Sequence, residues 1–189
     1  MTSLVLASAS TVRARLLEAA GVAFTVCPAH IDEDALKTPG ADPAKVAAAL
    51  AERKALAVPG ELVLGADQVA VCDGRLLSKP PTLEAAREQL RFLRGKPHVL
   101  ISALALARNG AIVWRHTDEA RLVMRHFSDS FLEAHLAADP ETLSSVGSYR
   151  LENPGAQLFA RIEGDYFSIL GLPLLPVLGQ LRALNLLES

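Results

Sequence analysis

The mostly apolar run from Leu62 to Cys72 constrains the fold of this 189-residue chain more than any other segment. Its length and composition predict a buried strand. The Asp73-Gly74 pair that follows predicts a turn into a short strand, Arg75-Leu76-Leu77. The chain therefore contains a sheet, and its fold class depends on the elements around this strand.

Strand and helix patterns alternate along the rest of the chain. Further strands are predicted at residues 4–7, 23–27, 99–107, 111–116 and 120–126, and helices at residues 11–20, 43–57, 83–93, 129–138 and 174–187. Asn109-Gly110 fits a type I′ turn, which predicts a hairpin between the strands on either side. Strand–helix units mixed with hairpins predict an α/β fold with a mixed central β-sheet and flanking helices. Since no linker divides the chain, we expect residues 1–189 to form a single domain, with two lobes around a cleft.

Composition and charge exclude several classes of protein. Half of the residues are apolar and the net charge is −2, which excludes disordered and fibrous chains. The near-neutral charge argues against a nucleic-acid polymer as partner, and the two cysteines are too few for a disulfide scaffold. The apolar stretch at 166–178 is too short to span a bilayer and contains Pro173 and Pro176. We therefore expect a cytoplasmic protein without a membrane partner.

Asp67 is a carboxylate inside the predicted strand, with apolar residues on both sides. Burying a carboxylate costs free energy unless it meets a cation, a metal or a hydrogen-bond donor. Gly65 beside it permits the close approach of a ligand or of another backbone. A helix-capping role is disfavoured because strand-like sequence continues past Asp67. A structural role stays open, but the pattern favours a functional carboxylate.

Hydroxyl groups and cations occur in segments far from Asp67. Ser8, Ser10 and Arg13 lie at a predicted strand-to-helix turn, where the first backbone amides of a helix favour an anion such as phosphate. The same residues fit a capped helix with a surface arginine equally well. Lys54 lies on the apolar face of its predicted helix, so it either reaches solvent from there or offers a cation to a site. Lys79 precedes Pro80-Pro81 in a loop.

The acidic triplet Asp32-Glu33-Asp34 fits either a solvated loop or the binding of a divalent cation through carboxylate oxygens. Zinc-binding spacings of histidine and cysteine, a GxGxxG fingerprint and a Walker GKS or GKT motif do not occur. Hydroxyls and an arginine at a helix start, two lysines and scattered carboxylates together favour the binding of a magnesium-bound polyphosphate.

An ordered set of motifs along nearly the whole chain resembles the Maf family of nucleoside triphosphate pyrophosphatases. The motifs are Leu6-Ala7-Ser8-Ala9-Ser10-Thr11-Val12-Arg13, Asp32-Glu33, Lys54-Ala55, Gly65-Ala66-Asp67-Gln68-Val69, Lys79-Pro80, Gly147-Ser148-Tyr149, Ile162-Glu163-Gly164-Asp165 and Leu170-Gly171-Leu172-Pro173-Leu174. The resemblance implies a two-lobed mixed-sheet fold similar to inosine triphosphate pyrophosphatases. It also implies a cytoplasmic homodimer that uses Mg²⁺ or Mn²⁺.

The resemblance further implies hydrolysis of a nucleoside triphosphate between its α and β phosphates, giving the monophosphate and pyrophosphate. Asp67 would accept the proton of the attacking water, and Asp67 with Glu33 would hold the metal. The residues that would bind the phosphates and the rest of the substrate are Ser8, Ser10, Arg13, Lys54 and Lys79. These roles suit a base within reach of water and cations placed where phosphoryl oxygens gain charge.

The sequence departs from the family pattern at three informative positions. Thr11 and Val12 replace a proline and an arginine, and Glu152 replaces the glutamine of the branch that cleaves dTTP and UTP. Val12, Gln68 and Glu152 together resemble the branch that acts on 7-methyl-GTP. A carboxylate can accept hydrogen bonds from both N1–H and the 2-amino group of guanine. The alternatives are a solvated Glu152 with dTTP or UTP as substrate, a non-catalytic nucleotide-binding regulator of cell division, and a phosphohydrolase that releases orthophosphate.

Overall fold

The computed structural model describes residues 3–38 and 40–188, and the chain consists of two compact units. The first unit comprises Met1–Gln68, Ile101–Asp118 and Asp165–Ser189. The second comprises Val69–Leu100 and Glu119–Gly164. Each unit is therefore built from segments that are distant in the sequence.

A seven-stranded mixed sheet contains every strand of the described residues. Its strands are β1 (Leu4–Leu6), β2 (Phe24–Val26), β3 (Leu62–Cys72), β4 (Arg75–Leu77), β5 (Pro97–Arg108), β6 (Ala111–Met124) and β7 (Phe159–Glu163). The order is β2-β1-β3-β5-β6-β7, with β4 paired to β3. β1 pairs in parallel with β2 and β3, whereas β3–β4 and β6–β7 are antiparallel. The predicted mixed sheet is confirmed.

Six α-helices accompany the sheet in the described part of the chain. They are α1 (Thr11–Ala19), α2 (Pro43–Ala57), α3 (Leu83–Leu93), α4 (Asp129–Ala138), α5 (Tyr166–Ile169) and α6 (Leu174–Ala183). Short 3₁₀ helices lie at Asp34–Leu36, Pro140–Ser144 and Pro154–Leu158. Ser10, Asp42, Thr82 and Ser128 cap α1 to α4 through side-chain oxygens that accept backbone N–H groups. No described helix is long and apolar enough to cross a membrane.

The two faces of β3 have different surroundings in the first unit. Leu62, Leu64 and Ala66 belong to a buried cluster with leucines of β1, β5 and α6. Because successive side chains of a strand point to opposite faces, Gly65 and Asp67 lie on the other face. There Gly65 approaches Ala51 and Ala55 of α2. The carboxylate of Asp67 is thereby directed to the helix that carries Lys54.

The largest boundary differences from the prediction lie at β6 and at the C-terminal helix, and the sequence does not predict β7 and α5. The hairpin strand does not end at His116, because β6 continues to Met124 through the polar Thr117-Asp118-Glu119 segment, whose residues keep alternating between exposed and half-buried positions. The C-terminal helix ends at Ala183 instead of residue 187, since Asn185 adopts a left-handed φ of 57° and stops it. The Asn109-Gly110 turn has the two positive φ values of type I′, as predicted.

Candidate active site

Two carboxylates of the first unit meet at the ammonium group of Lys54. Its Nζ lies 2.5 Å from Oδ1 of Asp67 and 2.7 Å from Oε1 of Glu33. Lys54 and Asp67 are buried, and Glu33 is half-buried. A buried carboxylate is tolerated beside a cation, so Lys54 explains how Asp67 can lie within β3. The interpretation in which Lys54 reaches solvent is wrong.

Gly65 makes this meeting of charges possible. A Cβ atom at position 65 would lie 2.1 Å from the carbonyl oxygen of Ala51 and 2.6 Å from the amide nitrogen of Ala55. Only glycine therefore lets α2 approach β3 so closely. The sequence predicts a close approach at this glycine, and the structure identifies the approaching group as the α2 backbone.

The turn before α1 surrounds a buried guanidinium. Nη1 of Arg13 donates to Oγ of Ser8 at 3.1 Å and to the carbonyl of Ala66 at 2.8 Å, and Nε donates to the carbonyl of Gly171 at 2.8 Å. Ser10 accepts the amide of Arg13, so it is a helix cap. The alternative of a surface arginine is wrong. Oxygen atoms of three other residues thus engage Nε and Nη1 of this guanidinium.

Burial and neighbouring charges act in opposite directions on two groups of the site. Burial by itself raises the pKa of Glu33. Lys54 and Lys37 donate hydrogen bonds to its carboxylate and carry positive charges, and these two effects together hold the pKa below its usual range. Burial lowers the pKa of Arg13, and the negative charges of Asp67 and Glu33 partly offset the effect. The negative charges of Asp67 and Glu33 thus act on the guanidinium of Arg13.

The remaining predicted site residues are distributed over both units. Gln68 is half-buried in β3, and Val12 is half-buried in the first turn of α1. Lys79 belongs to the second unit, where it is exposed and lines a cavity of about 280 Å³ together with Arg75. Glu152 also belongs to the second unit, where it is an exposed turn residue after Tyr149. Eight of the predicted site residues belong to the first unit: Ser8, Ser10, Val12, Arg13, Glu33, Lys54, Asp67 and Gln68.

The sequence did not reveal several partners of these residues. Lys37 lies 3.3 Å from Oε2 of Glu33, and the only signal for it is the four-residue spacing between the two. Ser102 and Ser168 hold the amide of Gln68, although neither stands out in the sequence. Asp32 and Asp34 of the acidic triplet are exposed, and Asp32 accepts backbone amides of its own loop.

The carboxylates of the site show whether a divalent cation could bind there. Among the residues that the structure describes, no group of three or more His, Cys, Asp or Glu side chains is arranged to hold a metal ion. Glu33 and Asp67 nevertheless meet at one ammonium group. Mg²⁺ usually takes one or two carboxylates and completes its shell with water and phosphate oxygens. The donor set therefore fits magnesium that arrives together with a nucleotide.

Comparisons with known proteins identify the family to which this chain belongs. A family model described as Maf-like protein matches residues 3–184. The chain belongs to the Maf-like family. A relative from Paramagnetospirillum magneticum, named nucleoside triphosphate pyrophosphatase, is 50% identical over 94% of this chain and 96% of its own length. A Rhizobium meliloti relative, named 7-methyl-GTP pyrophosphatase, is 49% identical over 98% of both chains.

A third Maf-like relative, from Granulibacter bethesdensis, is named nucleoside triphosphate pyrophosphatase and is 48% identical over 95% of both chains. Among solved structures, a HAM1 protein from Coxiella burnetii aligns with 66% of this chain and 73% of its own at 16% identity, with a TM-score of 0.41. That likeness is too low to decide anything about fold or function.

Proposed function

We propose that this Maf-like protein hydrolyses the bond between the α and β phosphates of a nucleoside triphosphate, with 7-methyl-GTP as the preferred substrate class. The relatives confirm the predicted enzyme class, a nucleoside triphosphate pyrophosphatase and thus a hydrolase. The base preference, the roles of single residues and the homodimer remain proposals. The observation that carries the proposed chemistry is the buried Asp67 carboxylate in contact with Lys54.

The reaction needs a base that takes a proton from water as its oxygen attacks the α phosphorus. In the proposed mechanism Asp67 accepts this proton, the bond from the α phosphorus to the bridging oxygen breaks, and pyrophosphate leaves. Lys54 engages Oδ1 of Asp67 and holds the carboxylate in place. A carboxylate has about four acceptor sites, so Asp67 can accept a hydrogen bond from water as well. General-base catalysis of this kind contributes about 10²- to 10⁴-fold.

Positive groups would stabilise the charge that the phosphoryl oxygens gain. The proposal assigns the phosphates to Lys54, Lys79 and Nη2 of Arg13, because cations placed in advance stabilise developing negative charge. Glu33 and Asp67 would hold a divalent metal, which would neutralise phosphate charge. Ser8 contributes by fixing the arginine through its hydroxyl.

The base preference rests on Val12, Gln68 and Glu152. Glu152 is exposed, so its carboxylate can accept hydrogen bonds from a ligand. Guanine carries an N1–H group and a 2-amino group as donors, and methylation at N7 adds a positive charge that a carboxylate attracts. Val12 offers an apolar side chain to the base. Four of the relatives carry the name 7-methyl-GTP pyrophosphatase, which favours the same substrate.

A product-resolved assay of Asp67→Asn tests the chemistry. With Mg²⁺ or Mn²⁺ we expect the wild type to release pyrophosphate and the variant to lose about 10²-fold or more of kcat while keeping its thermal midpoint. Asp73→Asn is the matched control, because it makes the same change at an exposed turn where asparagine accepts the left-handed φ of 51°. Unchanged turnover in Asp67→Asn would contradict the assignment of the base.

Glu152→Gln tests the base preference in the same assay with 7-methyl-GTP, GTP, dTTP and UTP. We expect the ratio of kcat/KM for 7-methyl-GTP to that for UTP to fall about tenfold, since a neutral amide loses the charge-assisted hydrogen bonds. An unchanged ratio would refute the preference. Release of orthophosphate would favour another phosphohydrolase, and binding without turnover would favour a nucleotide-binding regulator.

A further inference from the structure

The side-chain amide of Gln68 is held by three oxygen atoms. Nε2 donates to Oγ of Ser102 at 2.9 Å and to the carbonyl oxygens of Ser168 and Ile169, each at 3.0 Å. Ser102 is buried in β5, and Ser168 is buried in α5. Both protons of the Gln68 amide are therefore used inside the protein.

The surroundings permit only one orientation of this amide. Carbonyl oxygens accept hydrogen bonds and cannot donate them. The hydroxyl of Ser102 donates its proton to the carbonyl of Ser168 at 2.7 Å, so towards Gln68 it can only accept. A rotated amide would place Oε1 against three acceptors and withdraw the donor Nε2 from them, although the carbonyl of Ser168 would keep the Ser102 hydroxyl and the amide of Gly171 as donors. The cost of unpaired polar groups fixes Nε2 towards these oxygens and Oε1 on the opposite side of the amide.

Both α5 and the turn that follows it are anchored by hydrogen bonds. Oγ of Ser168 donates to Asp118 at 2.6 Å and lies 3.1 Å from Oδ1 of Asp165. Gly171, three residues later, accepts Nε of Arg13. A Cβ atom on Gly171 would lie 3.6 Å from Oε1 of Gln68, an ordinary contact distance, so Gly171 lies beside the amide oxygen. Oε1 accepts no hydrogen bond from the residues that the structure describes.

We propose that Ser102 is a positioning residue that fixes the amide of Gln68, so that Gln68 presents only its oxygen and selects an N–H donor on the substrate base. The inference deepens the proposed function and rests on it for the contact between Gln68 and the base. Guanine offers such donors at N1 and at the 2-amino group. A free glutamine amide can pair with a hydrogen-bond donor or with an acceptor. With its NH₂ group engaged inside the protein, Gln68 can pair only with a donor of the ligand.

Hydrogen exchange of the Gln68 side chain tests the fixed amide without any turnover. Its NH₂ signals are assigned by their loss in Gln68→Leu. Ser102→Thr and Ser102→Val form a matched pair, because the two side chains have the same shape and only threonine keeps the hydroxyl. We expect the exchange rate in Ser102→Thr to match the wild type and that in Ser102→Val to rise about threefold to tenfold, the effect of one hydrogen bond.

Kinetics with two substrates test the selection of a donor. Ribose 5′-triphosphate lacks the base, so its kcat/KM measures binding and hydrolysis of the triphosphate without the contacts to the base. In Ser102→Val, kcat/KM for 7-methyl-GTP should fall about threefold to tenfold, while kcat/KM for ribose 5′-triphosphate stays as in Ser102→Thr. If the added methyl group prevents both Ser102→Thr and Ser102→Val from folding, Ser102→Ala can be compared with the wild type, because this pair also differs in the hydroxyl.

Three outcomes would count against the inference. Equal exchange rates in the threonine and valine variants would overturn the positioning role of Ser102. An equal loss on both substrates would show that the hydroxyl has only a structural role. A wild type that cleaves ribose 5′-triphosphate as efficiently as 7-methyl-GTP would refute the proposed base preference and the selection of a donor, and the exchange data would then still decide whether the amide is fixed.

Discussion

Gly65→Ala is the sharpest perturbation that the first unit offers. The new Cβ would lie 2.1 Å from the carbonyl oxygen of Ala51 and 2.6 Å from the amide of Ala55, whereas ordinary contacts begin at 3.4 Å. Both atoms belong to the backbone of α2, so no side-chain rotation relieves the clash. The helix must retreat from β3 by about 1 Å or more, since close-packed interiors have no spare volume.

The retreat should lower both stability and activity. Overpacking of this kind costs about 1–3 kcal/mol of the free energy of unfolding. Lys54 moves with α2, and the 2.5 Å contact with Asp67 does not survive a displacement of that size. A misplacement of about 1 Å typically lowers the rate of catalysis about 10²-fold. Gly65→Ala should therefore lose kcat even under conditions where it is fully folded.

Urea unfolding and steady-state pyrophosphate release measure the two effects. Gly179→Ala is the matched control, because a Cβ at this glycine of α6 meets no atom within 4 Å. There the same substitution should raise the free energy of unfolding by about 0.5–1 kcal/mol and leave kcat unchanged. The explanation of the close contact fails if Gly65→Ala retains wild-type stability and wild-type kcat.

Two further predictions concern the second unit. His98 is buried, hydrogen-bonded to Tyr149 at 2.7 Å, and burial lowers its pKa from 6.5 to about 4. Between pH 6.5 and 4 the unfolded chain therefore binds more protons than the folded protein. As the pH falls through this range, the free energy of unfolding should decrease by about 3 kcal/mol. In urea titrations at several pH values, His98→Gln should lose this part of the pH dependence. Arg150→Met should cost about 2–4 kcal/mol, since it leaves the buried Asp139 without its paired contacts at 2.7 and 2.9 Å. The exposed Arg161→Met should cost less than about 1 kcal/mol in the same measurement.

Local signals in the sequence were sufficient for most elements and for the central pair of the site. The cap at Asp42-Pro43 fixes the start of α2, and its helical periodicity puts Lys54 on the buried face. The strand pattern around Asp67 places a carboxylate inside an apolar environment. A buried acid needs a partner and a buried lysine offers one, so elementary electrostatics anticipates their meeting.

Long-range partners could not be predicted in the same way. The acceptors of Gln68 are separated from it by 34 to 101 residues, and two of them are backbone carbonyls, which carry no sequence signal. The same holds for the carbonyl of Gly171 that accepts Arg13. β6 was interrupted in the prediction because its Thr117-Asp118-Glu119 segment is polar. Such a segment resembles a loop until its neighbouring strands are known.

The first unit is built from three separate segments of the chain, which limits the order in which the chain can fold during its synthesis. Arg13 is made early, but one of its acceptors is the carbonyl of Gly171, 158 residues later. While the ribosome is still adding the segment from Asp165 onwards, the guanidinium lacks that acceptor and α6 has not yet covered the leucines of β1 and β3. A nascent chain stalled before residue 165 should therefore remain sensitive to protease within its first 68 residues.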